Sequence, residues 1–207
     1  MQQIAPTKSN LISAQNTLEF SKKGFQLLDQ KRNVLIREMM SYISRAEKLQ
    51  NRINSTFSEA YEALRQANIT MGISSVSDIS MAIPETEDYD VRFKSVMGVE
   101  VPHLNYEKKP IQPNYSFHRS NTAMDIAYKK FNEVKYLIYE IAEVENAVYR
   151  LAMEVKKTQK RANALQNIQI PKLQERVKFI SEVLDEKERE DFFRLKMVKK
   201  KKKKYKE

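Results

Sequence analysis

His103 and His118 are the only imidazoles in the chain, and there is no cysteine. A pair of histidines can begin a metal site. Neither has a second histidine four residues further along, and the missing thiolates remove the common structural zinc sets. Both are read as surface or turn residues. Acidic pairs such as Glu143/Glu145 and Glu188/Glu190 are abundant, and both lie on stretches that read as charged helix. There carboxylates are ordinarily solvated partners at helical spacing. The three glycines, Gly24, Gly72 and Gly98, stand far apart, so no phosphate-cradling loop is available. These residue types give no metal site, no cofactor site and no catalytic carboxylate pair. The chain is not expected to be an enzyme by itself, and function must come from the elements that carry these side chains.

Composition says what those elements are. Charged residues make up 31% of 207, Gly and Pro are scarce, and Trp is absent, which is the composition of long helices. The net charge of +10 is concentrated at the end: Arg194 to Glu207 holds nine Lys or Arg and one acid. Six consecutive lysines, Lys199 to Lys204, read as a solvated tip. Nucleic-acid binding would want basic residues interleaved with aromatics along a groove, and only Tyr205 accompanies this run. The first ten residues lack the apolar core of a signal peptide, and no stretch approaches the roughly 18 apolar residues of a membrane span. The chain is expected to be soluble, or peripheral to a membrane at most.

Residues 1–70 read as one helix. Thr7, Ser9 and Asn10 follow Pro6 as N-cap choices, and Gly72 is a plausible C-cap. Steps of seven from Leu11 give Leu11, Leu18, Phe25, Arg32, Met39, Ala46, Ile53, Ala60 and Ala67. The companion set is Ala14, Ser21, Leu28, Leu35, Tyr42, Leu49, Thr56 and Ala63. Fourteen of these seventeen are apolar, a heptad seam of coiled-coil length.

Residues 122–198 repeat the pattern. Thr122 and Asp125 resemble a capping box. The seam runs through Ala123, Ala127, Lys130, Val134, Leu137, Ile141, Val144, Val148, Leu151, Val155, Thr158, Ala162 and Leu165. It then slips to Gln169, Leu173, Val177, Ile180 and Leu184, an eleven-residue step that locally unwinds a left-handed supercoil. Pro171 sits beside the slip and is expected to bend the helix. Each seam is too narrow to be buried alone, so the two helices are expected to pair antiparallel. Contacting residue numbers should sum to roughly 190, with Leu35 near Val155 and Leu49 near Ile141. A basic tail, 199–207, follows. Tyr128, Tyr136, Tyr139 and Tyr149 either flank the seam or form an external stripe.

The middle segment, 71–121, holds Pro84, Pro102, Pro110 and Pro113, and four acids between Glu85 and Asp90. Ser74 to Ser80 is small and polar. Val91, Phe93 and Ser95, then Val99 and Val101 beyond Met97-Gly98, predict two short strands around a turn, with Pro102 at a strand end. An isolated hairpin is marginal in water, so this one should rest on the helices or on a partner. The fold class expected is mainly α: a long antiparallel two-helix coiled coil with a small irregular, β-hairpin middle segment.

The two ends carry a more specific likeness. One reads Pro6-Thr7-Lys8, Leu11, Leu18, Lys23-Gly24, Leu27-Leu28, Lys31-Arg32 and Leu35. The other reads Arg161, Asn163-Ala164-Leu165, Ile170-Pro171, Leu173, Phe179-Ile180, Leu184-Asp185-Glu186, Glu188-Arg189-Glu190 and Phe192-Phe193-Arg194-Leu195-Lys196. Together they resemble the D subunit, the central-stalk shaft, of the V-type/A-type rotary ATPases. The likeness is good over 6–37 and 158–199 and weak in the middle.

The resemblance implies a shaft whose paired ends enter a ring of catalytic A and B subunits. It couples ATP hydrolysis or synthesis there to ion translocation through a membrane rotor. It implies a small F subunit and a funnel-like subunit as partners of the middle segment, and contact with the membrane only through the complex. Lys8, Lys22, Lys23, Arg189, Phe192, Phe193, Arg194 and Lys196 become candidate ring contacts. Val91, Phe93, Val99 and Val101 become candidate contacts of the middle segment. A coiled-coil adaptor with a polybasic tail for membranes or nucleic acid is the alternative.

Overall fold

The computed structural model describes residues 5–83, 89–112, 114–116, 118 and 120–204, with side chains as far as 201. The readings placed on Pro84, Pro113, Tyr205, the acids at 85–88 and the side chains of Lys202 to Lys204 lie outside them. The chain is mainly helical. Helix α1 is Lys8–Met71, α2 is Ile73–Met81, β1 is Tyr89–Val96, β2 is Val99–Tyr106 and α3 is Thr122–Ala164. A π-turn, Leu165–Gln169, leads into α4, Ile170–Lys204. Two compact units form, Val34–Val155 and a second made of Met1–Asn33 with Lys156–Glu207.

In the unit of residues 34–155, α1 and α3 bury the seams that the heptads mark. One cluster joins Leu49, Ile53, Leu137 and Val144, with Ile141 packed against it. Another joins Leu35, Ala147, Leu151 and Val101, with Val155 against it. The expected antiparallel register therefore holds. It recurs where Lys130 Nζ lies 2.7 Å from a carboxylate oxygen of Glu59, the contact that lets a lysine occupy a seam position. Leu35 and Leu151 are fully buried, and truncating such side chains costs about 2–5 kcal/mol.

The middle segment holds a helix that the sequence reading passed over. Gly72 ends α1 in a positive-φ conformation, its N–H donating to Asn68 O at 3.0 Å. Its own carbonyl then accepts from Val76 N–H, starting α2 at once. Val76 and Ile79 turn the apolar side of α2 into a cluster with Ala67, Tyr115 and Met124. The start of α3 also differs from expectation. Asn121, not Thr122, is the cap: its Oδ1 accepts from Met124 N–H at 3.0 Å, and its Nδ2 donates to Thr70 Oγ1 at 2.7 Å. Asp125 lies one residue too far for a capping box and instead accepts the Tyr115 hydroxyl at 2.6 Å.

The hairpin forms around the expected turn, with Val96 opposite Val99 and Tyr89 opposite Tyr106. Met97 and Gly98 both have positive φ, the geometry of the tightest two-residue turns. Pro102 is not at a strand end; it pairs with Phe93 in mid-strand. Counting from the turn, that pair is of the kind that exchanges no ladder bonds, so the missing N–H points away from β1.

In the unit of residues 1–33 and 156–207, Thr7 is the N-cap of α1, its Oγ1 accepting from Asn10 N–H at 3.2 Å. Arg32 donates to Gln159 Oε1 at 2.8 Å, and Leu165 lies over Gly24. Thr158, Ala162, Leu173 and Ile180 are buried, as are Ala14 and Ser21. Ser21 satisfies its hydroxyl by donating to Thr17 O at 2.8 Å, so a polar atom in the seam costs little.

Gln169, expected in the seam, is exposed. Its place is taken by Ile170, whose N–H reaches back five residues to Leu165 O. The seam therefore steps Ala162, Leu165, Ile170, Leu173, because one residue is absorbed by a π-turn rather than by an eleven-residue repeat. Pro171 follows directly. The widened turn beneath it is where its ring would otherwise meet a carbonyl four residues back.

Candidate assembly surfaces

The hairpin in the unit of residues 34–155 is the first surface. β2 lies along α3, and its outward backbone groups are met by helix side chains. Leu104 N–H donates to Glu143 Oε2 at 2.9 Å, and Arg150 Nη1 donates to Glu100 O at 3.0 Å. Glu143 is nearly enclosed, its side chain 11% exposed. It also receives His103 Nδ1 at 3.0 Å and lies 3.9 Å from Arg45 Nη1. His103 is thus a clasp between hairpin and helix, and among the described residues no cluster could hold a metal ion.

Further along, Tyr106 donates to Glu140 Oε1 at 3.2 Å. Burial, then the Glu140 carboxylate, pushes its pKa up to about 12. Tyr89 and Tyr106 pack at a tilt against Tyr139, and Tyr106 stacks on Tyr136. Two of the four tyrosines of α3 therefore seat the hairpin, which is neither of the roles considered for them. Tyr128 meets Tyr115 edge-on, and Tyr149 is exposed.

The four candidate contacts of this segment divide. Val101 is 2% exposed and belongs to the cluster around Leu35 and Leu151, and Val99 packs against the same cluster. Both are occupied by their own unit and offer a partner little. Val91 and Phe93 are exposed, with the Arg150 guanidinium 5.3 Å from the Phe93 ring. Other exposed apolar residues of this unit include Tyr61, Ile69, Ile73 and Met81. A signal was available, since Tyr61 and Ile69 stand off the α1 seam.

The second surface belongs to the other unit. Lys8 pairs with Glu188 at 3.1 Å, Lys23 with Glu19 at 2.7 Å, and Arg189 with Glu186 at 3.5 Å. Arg194 approaches Glu190 and Asp191 at 3.5 and 3.8 Å. All are exposed, so solvent screens each ion pair and none holds the surface strongly. Lys22 and Lys196 are exposed as well. Phe192 and Phe193 are exposed too, together with Leu195, Met197 and Val198. At 100° per residue these five apolar side chains are spread around the whole helix instead of along one stripe. Phe20 and Leu27, seven residues apart on α1 and off its seam, are also exposed.

Comparison with known proteins places these features. Residues 10–200 match the family described as the D subunit of ATP synthase. A protein of Thermotoga neapolitana, named as the D subunit of a V-type ATP synthase, is 45% identical over 198 residues, covering 96% of this chain and 98% of that one. The D subunit of an A-type ATP synthase from Methanobrevibacter smithii is 40% identical over 199 residues, covering 94% and 86%. That of Pyrococcus furiosus is 35% identical over 199 residues, covering 95% and 93%.

Proposed function

Because this chain belongs to the family of ATP synthase D subunits, we propose that it is the central rotor shaft of a V/A-type ATPase or ATP synthase. The observation that carries the reading is the C-terminal part of α4. Exposed phenylalanines and cations are distributed around the helix, with no stripe for a single partner helix. Such a surface suits an enclosing ring that it meets at successive angles. A rotor must not bind one angle too tightly, and ion pairs on exposed side chains give shallow wells.

On this reading Lys8, Lys22, Lys23, Arg189, Phe192, Phe193, Arg194 and Lys196 meet the ring of A and B subunits. The nucleotide chemistry stays in that ring, and this chain converts its cycle into rotation and thus into ion translocation. Val91 and Phe93 remain the candidate contacts for a small F subunit or a funnel-like subunit on the membrane rotor. No described helix is long and apolar enough to cross a membrane, so the placement proposed is cytoplasmic, peripheral to the membrane as part of the complex.

The test is purification of the tagged chain from its native cells, with identification of what accompanies it. Two large nucleotide-binding subunits in equal amounts, with a small subunit, are expected. Recovery with lipid or RNA alone would replace the shaft by a polybasic adaptor. Removal of 199–207 separates the two readings again: a shaft keeps its assembly, an adaptor loses its partner.

A further inference from the structure

The hairpin has two edges, and only one is used. In a two-residue hairpin the pairs alternate between those that exchange ladder bonds and those that do not, starting from the pair beside the turn. Val96 and Val99 exchange bonds, so Ser95, Phe93, Val91 and Tyr89 direct their N–H and C=O groups away from β2. On β2 the equivalent outward groups are dealt with. Leu104 N–H goes to Glu143, Glu100 O accepts from Arg150, and Pro102 has no N–H to place. On β1 no hydrogen bond to another element is made among the described residues, and the sheet stops at two strands. Seven of the eight β1 residues are exposed.

We propose that the outer edge of β1 accepts a strand from another subunit of the complex, extending the hairpin to three strands. This rests on the rotary-subunit reading above. The chemistry of β1 specifies the guest. Tyr89, Val91 and Phe93 point to one face and are about half exposed, so the guest carries apolar side chains at alternate positions. Asp90, Arg92 and Lys94 point to the other. Arg92 holds Asp90 at 3.1 Å, while Lys94 makes no ion pair among the described residues. The intervening guest positions are therefore acidic. Main-chain hydrogen bonds supply the affinity and the alternation supplies the register. A second copy of this chain would bring the same face, with Arg92 and Lys94 against a single Asp90, and so lacks the excess of acid that this edge calls for.

Amide exchange tests this on the full chain, alone and in the purified complex. The Arg92 and Lys94 amides, already in the ladder, are protected in both states. The Val91 and Phe93 amides are expected to exchange freely in the isolated chain and to slow by about 100-fold or more in the complex. Val91→Pro removes only an outward donor, as Pro102 does on the other strand, and should weaken retention of the guest subunit by about tenfold. Val91→Thr keeps the donor and should not. Fast Val91 and Phe93 amides within an intact complex would overturn the strand addition and leave the rotary reading standing. Protection that rises with concentration of the isolated chain would identify a second copy as the guest and overturn it as well. Absence of any complex would overturn both.

Discussion

Replacing Glu143 with Ala removes the carboxylate that fastens the hairpin to α3. Its largest contribution is the 2.9 Å hydrogen bond from Leu104 N–H to a carboxyl side chain that is 11% exposed. A bond of that kind contributes about 1.5–3 kcal/mol, because its loss strands a partly enclosed amide. His103 and Arg45 are 61% and 52% exposed, so together they add at most about 1 kcal/mol. The hairpin keeps Val101 in its cluster, Arg150 on Glu100 and Tyr106 on Glu140. The effect should therefore be local opening by about 2–3 kcal/mol, not global unfolding. Amide exchange reads this directly: at 1.4 kcal/mol per decade, the ladder amides of Arg92 and Lys94 should exchange about 30-fold or more faster. Glu143→Gln keeps an acceptor for Leu104 and should cost about half as much. A change below about threefold in those amides for Glu143→Ala, or an equal effect for Gln and Ala, would refute the reasoning.

Leu35→Ala and Leu151→Ala should each lower stability in urea by about 2–5 kcal/mol. Because the two share one cluster, the double variant should depart from additivity by at least about 0.5 kcal/mol. Tyr115 has its pKa raised by burial and then by the Asp125 carboxylate. A raised folded value means that its contribution is intact below the ordinary value near 10 and is lost as pH rises above it, because the unfolded chain releases its proton first. Urea titrations between about pH 8 and 11.5 should show that loss, and Tyr115→Phe should flatten it while leaving the smaller share of Tyr106. Gly24 sits inside α1 at negative φ, and an added Cβ would meet Leu165 Cδ1 at an ordinary 3.9 Å. Gly24→Ala should therefore stabilise by about 0.5–1 kcal/mol, read as a higher urea midpoint with unchanged slope.

The helices, their pairing and their register were legible because a seam of period seven is a redundant signal. All seventeen seam positions of α1 are buried or half-buried, including Arg32, Ser21 and Thr56. The hairpin was legible for a different reason: Met97-Gly98 between alternating apolar residues leaves few other turns. Helix α2 was passed over because the apolar residues it buries, Val76 and Ile79, are few and sit among serines. Its helicity comes from packing against Tyr115 and Met124 across a gap in sequence that no local pattern spans. The same holds for Val101, where alternation gave the strand but not which face it would bury. Candidate ring contacts were chosen by resemblance at the ends, and the exposed apolar residues beside them could have been found by asking which heptad positions are apolar off the seam.

The π-turn at Leu165–Gln169 has a consequence for how chains of this kind change length. Before it the seam keeps one heptad count, through Val155, Thr158, Ala162 and Leu165. After it Ile170, Leu173, Val177, Ile180 and Leu184 keep the same count moved on by a single residue. An insertion of one amino acid into a coiled coil would normally turn everything downstream by about 100° and expose the seam. Here five residues absorb it, with Pro171 marking the far side. A chain lacking one residue in this interval could run as unbroken α-helix with every later seam side chain still inward. Between such relatives an alignment gap at 165–169 would record a change of helix type, with the pairing of the two helices conserved on either side of it.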